Sequence, residues 1–86
     1  MKVRYHKDFE KTFLNLSPKM QDKAMKAINT FKKDPHHPQL RNHALHGKQK
    51  SKRSIAAGGD LRLVFIEKDN YKIVLFLIVG THTQVY

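Results

Sequence analysis

Residues 73–86 read IVLFLIVGTHTQVY and include the most apolar segment of the chain. Hydrophobicity is continuous rather than alternating over residues 73–79, which is typical of a strand buried on both faces in the middle of a sheet. His82 and Tyr86 follow this strand closely. Two interpretations stay open: the strand is a rigid platform that presents both side chains, or the chain frays from Thr81 onward.

Upstream of this segment the sequence predicts three further strands. Residues 61–67, LRLVFIE, are rich in β-branched and apolar side chains, and residues 68–71 join them to the strand at 72–79 as a hairpin. Shorter strands are expected over residues 40–46 and 53–57. A turn at Gly58-Gly59-Asp60 then leads into the hairpin.

The first half of the chain predicts an edge strand followed by a helical hairpin. Residues 2–5 alternate polar and apolar side chains. Apolar residues then recur at helical spacing over 6–16 and again over 18–34. Ser17 is suited to cap the second helix, and Pro18 is suited to its first position. The fold class is therefore α+β, with an N-terminal strand and a two-helix hairpin packed on a small, mainly antiparallel sheet of four to five strands.

Length and charge narrow the classes of function. The 86 residues make a single domain, 1–86. Lysine and arginine total 17 against 7 acidic residues, a net charge of +10, which favours an anionic partner such as nucleic acid, a membrane surface or an acidic protein. Cysteine is absent, so disulfides and thiolate metal sites are excluded. The apolar run is far shorter than the ~20 residues of a membrane helix, and we expect a soluble, cytoplasmic protein without membrane contact.

The polar residues within the predicted sheet are the candidates for chemistry. Alternation places Arg62 on the opposite face from its apolar neighbours, where it either meets solvent or holds a phosphate. Arg53 has the same two interpretations. His43 and His82 fall at strand ends, and a pair of imidazoles can supply the general base and general acid of RNA cleavage. That chemistry needs no metal or other cofactor, and the adjacent His36 and His37 are only a weak metal signal.

Three segments together resemble a known family: NHALHG at 42–47, GGDLRLVF at 58–65 and VGTHTQVY at 79–86. In this order and spacing, behind a two-helix N-terminal half, the chain resembles the RelE/ParE superfamily of bacterial toxins and its YafQ-like mRNA interferases. The resemblance implies a RelE-like fold and the toxin of a type II toxin–antitoxin system. Such a toxin cuts mRNA on the ribosome, near 16S rRNA, and is silenced by a cognate acidic antitoxin in a hetero-oligomer.

The resemblance also implies roles for individual residues. His43, Asp60, His82 and Tyr86 match positions that line the family's catalytic surface, and Arg62 matches a catalytic arginine. On this basis His82 is the general acid or base, with His43 or Asp60 as its complement, and Tyr86 stacks on or orients a base. The residues expected to bind the substrate phosphates are Arg53, Lys50 and Lys52.

Two positions depart from the family pattern. Ala56 stands where YafQ-like members carry a further catalytic histidine, and Leu61 stands where tryptophan is common. His46 is a candidate replacement for the missing histidine. Two alternatives to a nuclease stay open: a ParE-like toxin on the same fold that inhibits DNA gyrase by protein contacts, and a catalytically inactive basic domain that binds RNA or the ribosome.

Overall fold

A five-stranded mixed sheet carries two helices on one face in the computed structural model, which describes all residues, 1–86. The α+β architecture and the RelE-like layout predicted from the sequence are confirmed. In chain order the elements are β1 (Lys2–Tyr5), α1 (Lys7–Leu14), α2 (Pro18–Lys33), β2 (His43–Ala44), β3 (Arg53–Ala56), β4 (Leu61–Lys68), β5 (Ile73–Thr81) and α3 (His82–Val85).

The strand order in the sheet is β1-β5-β4-β3-β2. β1 runs parallel to β5, and every other pair is antiparallel. The parallel pairing is possible because the α1–α2 hairpin and the later strands intervene between β1 and β5, which gives the chain the length a crossover needs. β5 therefore lies inside the sheet, between β1 and β4, as the sequence predicts.

The helix boundaries follow from local sequence chemistry. Ser17 caps α2 by accepting a hydrogen bond from the backbone N–H of Met20 at 3.3 Å, and Pro18 occupies the first turn. The helix ends at Lys33, one residue before Asp34, because Pro35 disfavours helical geometry in the residue before it. At the start of α1, His6 takes the capping role, with its Nδ1 accepting from the N–H of Asp8 at 3.0 Å.

Aromatic rings hold the helices to the sheet. Phe31 of α2 packs with its ring centroid 4.9 Å from that of Phe65 on β4 and 5.4 Å from that of Phe76 on β5. All three side chains are fully buried, and Phe9 of α1 joins the same cluster. The core of the domain thus lies on the face of the sheet that α1 and α2 cover, and these two helices do not cover the opposite face.

The burial of β5 differs from the sequence expectation. Val74, Phe76 and Val79 are buried, but Leu75 and Leu77 stay partly exposed. Because α1 and α2 both pack on one face of the sheet, only that face of β5 is fully covered. The prediction of burial on both faces is therefore wrong for most of this strand.

The predicted strand over residues 40–46 is also mostly wrong. Only His43–Ala44 pair with β3, because Pro38–Leu40 form a 3₁₀ turn and Arg41 adopts a left-handed backbone with φ of 50°. A residue in that conformation cannot continue an extended strand. The short β2 that results begins at the NHALHG motif.

Replacing Phe31 by alanine is expected to lower the free energy of unfolding by about 3–5 kcal/mol, because the change leaves a cavity among fully buried rings. Urea or heat denaturation followed by circular dichroism measures the loss. Leu14→Ala is the control: Leu14 is 74% exposed, so its substitution should change the free energy of unfolding by less than about 0.5 kcal/mol. Equal losses in both variants would contradict this description of the core.

Candidate active site

The chain folds back at the end of β5 instead of fraying. Residues 82–85 form the short helix α3, which packs against β4 and β5 on the face opposite α1 and α2. The turn is held by a hydrogen bond from the backbone N–H of Thr81 to the side-chain oxygen of Gln84, at 2.8 Å. Val85 is buried beneath α3. The frayed-tail interpretation is therefore wrong, and the platform interpretation holds for His82.

Gly80 makes this fold-back possible. A Cβ placed on Gly80 would lie 2.8 Å from Oε1 and 3.2 Å from Cβ of Gln84, and 3.3 Å from Cγ1 of Val85. These separations are shorter than ordinary van der Waals contacts. Only glycine at this position lets α3 approach β5 so closely.

Tyr86 is fixed at both ends of its side chain. Its hydroxyl donates a hydrogen bond to Oγ of Ser54, a fully buried residue on β3. Its ring meets the imidazole of His82 edge to face, with the ring centroids 4.4 Å apart and an interplanar angle of 83°. This arrangement is the favoured geometry for aromatic pairs, and it positions the His82 imidazole as well.

Six side chains line a cavity of about 220 Å³ beside α3: Arg41, His43, Ala56, Arg62, His82 and Tyr86. We call it the site cavity. Strand register explains how these residues meet. His43 pairs with Ser54, Ala56 pairs with Arg62, and Arg62 pairs with Gly80, so all lie on the sheet face that α3 covers in part. None of the lining residues is acidic.

The orientation of His43 gives its ring a defined tautomer. Nδ1 lies 2.8 Å from the backbone carbonyl oxygen of Arg41. Because a carbonyl oxygen can only accept a hydrogen bond, Nδ1 carries the proton and donates it. In the neutral ring Nε2 is therefore unprotonated and can accept a proton from a substrate.

Two guanidinium groups supply positive charge to the cavity. Nη1 of Arg62 donates to the carbonyl oxygens of Gly59 and Leu61, both at 2.9 Å, which holds the side chain over the turn. The remaining N–H groups of Arg62 have no hydrogen-bond partner in the protein. Arg41 is the residue that sequence reasoning missed. A signal was present, since Arg41 directly precedes the NHALHG motif, but only the left-handed turn shows that it reaches the cavity.

Asp60 and Arg53 do not join this group. Asp60 is exposed in the turn before β4 and does not line the cavity, so the expectation that its carboxylate meets the two imidazoles is corrected. Arg53 alternates with Ser54 and so lies on the opposite face of the sheet, where its Nε donates to Oδ1 of Asn42 at 2.9 Å. That bond holds the Arg53 side chain on the face away from the site cavity.

The basic loop between β2 and β3 also lies outside the site cavity. His46, Lys50 and Lys52 do not line it, and a 3₁₀ turn over Gly47–Gln49 separates His46 from the two lysines. His46 therefore does not replace the imidazole that the family resemblance expects at position 56. Ala56 itself lines the cavity and leaves open space there.

No three histidine, cysteine, aspartate or glutamate side chains come together in a group able to hold a metal ion. Burial raises the pKa of the Tyr5 hydroxyl. The ring of Tyr5 stacks on Phe76, and Tyr5 does not line the site cavity. No helix has both the length and the apolar character needed to cross a membrane.

Solved structures identify the family. A copper-bound mutant toxin from Helicobacter pylori is 30% identical in sequence, with a TM-score of 0.72, and the alignment covers 100% of this chain and 99% of that one. The chain belongs to the RelE/YafQ family of toxins. YafQ from E. coli has the same fold, with 20% identity, a TM-score of 0.80, and coverage of 99% of this chain and 97% of YafQ.

YafQ in the E. coli DinJ–YafQ complex also shares the fold of this family member, at 23% identity and a TM-score of 0.72, with coverage of 99% and 97%. No family model and no curated protein matches the sequence. The relationship is therefore carried by the three-dimensional comparison, and the resemblance inferred from the three sequence segments is confirmed.

Replacing Gly80 by alanine is expected to displace α3 while leaving the sheet and its core intact. The added methyl group would press against Gln84 and Val85 at the distances given above. Hydrogen exchange measured by NMR should show faster exchange of the Tyr86 amide, which bonds to the carbonyl of His82 at 3.1 Å. Thr83→Ala is the control, since Thr83 is exposed on the same helix. Unchanged exchange in Gly80→Ala would show that α3 tolerates a side chain there.

Proposed function

We propose that this RelE/YafQ-family chain is the toxin of a type II toxin–antitoxin system and a metal-independent endoribonuclease that cuts mRNA on the ribosome, in the cytoplasm. The observation that supports the proposal most strongly is the convergence of His43, Arg62, His82 and Tyr86 on one cavity. His43 and Arg62 come from separate strands and His82 and Tyr86 from the region of α3, so chain proximity does not explain how these three segments meet.

The two imidazoles divide the proton transfers of RNA cleavage between them. Nε2 of His43 takes the proton of the ribose 2′-hydroxyl, because its Nδ1 is already engaged with the Arg41 carbonyl. The 2′-oxygen attacks the phosphorus and the bond to the 5′-oxygen breaks. Protonated His82 gives its proton to that leaving oxygen. The products are a 2′,3′-cyclic phosphate and a free 5′-hydroxyl, and the step leaves His43 protonated and His82 neutral.

Arg62 and Arg41 stabilise the charge that builds on the phosphate. The free N–H groups of Arg62 face a site without carboxylates, where a planar guanidinium can hold two phosphate oxygens. Charge stabilisation by donors that are already in place lowers the barrier without reorganisation during the reaction. Ala56 supplies no proton, and in this scheme none is required from that position.

Tyr86 contributes through its ring. Because its hydroxyl is committed to Ser54, its phenol is held still while 39% of the residue remains exposed. A fixed aromatic surface of this kind can stack on a nucleotide base next to the cut. The same ring steadies His82, so base placement and proton donation are coupled.

An acidic antitoxin is the proposed partner. The net charge of +10 favours an acidic protein chain, and YafQ is found in a complex with DinJ. In this hetero-oligomer a segment of the antitoxin either blocks the site cavity or displaces residues from it.

His82→Ala is expected to lower the rate of RNA cleavage by about 10²–10⁴-fold, the usual contribution of a general acid–base group. His43→Ala should have a loss of similar size. Cleavage of a labelled mRNA in a translation extract measures both rates, and end-group analysis should find cyclic phosphates. His37→Ala is the matched control, since His37 lies in the loop before β2, outside the site cavity, and should keep the wild-type rate.

Wild-type cleavage by both His82→Ala and His43→Ala would overturn the assignment of the proton donor and acceptor. Circular dichroism of each variant must match the wild type, so that a loss of rate is not a loss of fold. Both histidines are exposed, and their substitution removes no buried packing.

Chelation of metal ions with EDTA is expected to leave the cleavage rate unchanged, because the two imidazoles already account for both proton transfers. The measurement is made on purified protein with ribosomes supplied separately in fixed magnesium, after EDTA treatment and desalting of the protein alone. A loss of activity that added metal restores would contradict the scheme.

Expression in bacteria is expected to stop growth and to produce cuts within translated codons, seen by primer extension. Co-expression of a short acidic reading frame next to the gene should restore growth. Growth arrest with intact messages and altered plasmid supercoiling would instead support gyrase inhibition. Growth without arrest would support an inactive RNA-binding domain.

A further inference from the structure

The site cavity does not end at Arg62. A second cavity of about 260 Å³ shares Arg41, Ala56 and Arg62 with it and extends over the Gly58–Gly59 turn. A third cavity of about 280 Å³ shares Ala56 and Gly58 with the second and continues to the surface of α2. The three cavities therefore adjoin one another, and we call the second and third together the basic groove.

Lysine side chains line the far end of the basic groove. Lys23 and Lys26, one turn apart on α2, both face the third cavity, together with the hydroxyl-bearing Thr30. Lys23 is only partly exposed, and its Cδ lies 3.9 Å from the position of a Cβ on Gly58. The aliphatic part of Lys23 thus rests on the turn while its ammonium group stays free to bind an anion.

The turn between the cavities presents backbone donors. Gly58 and Gly59 both have positive φ, 95° and 54°, a conformation that glycine adopts without strain. Neither backbone N–H donates a hydrogen bond within the protein. Free amides in a turn of this kind are suited to anions such as phosphate oxygens.

The charged side chains that line the groove are all basic. No aspartate or glutamate lines the site cavity or the basic groove. Lys26 has one acidic neighbour, since its Nζ lies 3.0 Å from Oδ2 of Asp22, and both side chains are well exposed. An exposed ion pair of this type contributes little to stability, so a phosphate can displace the carboxylate. Lys23 has no ion pair.

We infer that the basic groove binds the sugar-phosphate backbone of single-stranded RNA on one side of the cut, with Lys23 as its principal phosphate contact. This inference rests on the proposed endoribonuclease function and extends it from the scissile bond to the flanking nucleotides. A polar, basic channel that leads away from the cleavage site fits a phosphate backbone. Lysine ammonium groups and backbone amides favour phosphate oxygens, and phosphate contacts position the strand.

The test measures RNA binding in a protein that cannot cut. In the His82→Ala background, Lys23→Gln is compared with Lys23→Arg and Lys68→Gln over a range of salt concentrations, using short RNAs and fluorescence anisotropy. Lys68→Gln is the control for total charge. Lys68 is exposed and lies on β4 about 20 Å from Arg62, at roughly 3.3 Å per residue. Lys23→Gln should make the slope of log affinity against log salt shallower by about 0.7, the value for one phosphate contact on a single strand. Lys23→Arg should restore it.

RNA length provides the second readout. Two sets of oligonucleotides are extended from a common core, one set toward the 5′ end and the other toward the 3′ end. The groove leaves the site in one direction, so the loss caused by Lys23→Gln should appear with one set of extensions and vanish with the other.

Three outcomes would overturn the inference. The first is a loss of RNA affinity in Lys23→Gln that is no larger than the loss in Lys68→Gln. The second is a loss that is the same for every RNA length. The third is an equal loss of binding to polyglutamate, which would assign the groove to an acidic protein partner. Because binding is scored without cleavage, these outcomes stay readable even when the proposed chemistry fails.

Discussion

The close approach of α3 to β5 at Gly80 is the contact on which the site depends. Without it, His82 and Tyr86 would follow the strand into solvent, and Ser54 would lose the hydroxyl that satisfies it in a fully buried position. The absence of a side chain at Gly80 thus allows a four-residue helix to cover part of the outer face of the sheet. That helix is too short to be stable alone, and its packing on β4 and β5 supplies what its own hydrogen bonds cannot.

The hydrophobic core and the site cavity lie on opposite faces of the sheet. Aromatic rings from α1, α2, β4 and β5 fill one side of the sheet, and the polar cavity occupies the other. Strand alternation enforces this division, because neighbouring residues on one strand point in opposite directions. Leu61, Leu63 and Phe65 enter the core while Arg62 between them reaches the cavity. A rigid core directly beneath the site keeps the side chains of the site cavity in fixed positions.

The excess of positive charge destabilises this small folded domain, because its basic side chains repel one another. Only one ion pair involves its lysines and arginines, the one between Lys26 and Asp22, so most of these side chains repel one another without compensation. A folded chain with this composition is stabilised by any anionic partner that binds it. The RNA and the acidic antitoxin proposed above are both anionic, so each would offset this repulsion on binding.

The sequence by itself determined the elements that local physics controls. Continuous hydrophobicity placed β5 inside the sheet, Ser17 and Pro18 set the start of α2, and alternation put Arg62 opposite the core. Motif spacing also indicated the family. Only the tertiary structure decided which residues form the site, because that depends on register and on backbone turns between distant segments. It brought in Arg41 through a left-handed turn, removed Arg53 to the opposite face, and left Asp60 in solvent. It also showed that the apparent tail forms α3. The sequence does not show that Gln84 and Val85 pack against Gly80, and that packing is the reason why glycine is needed there.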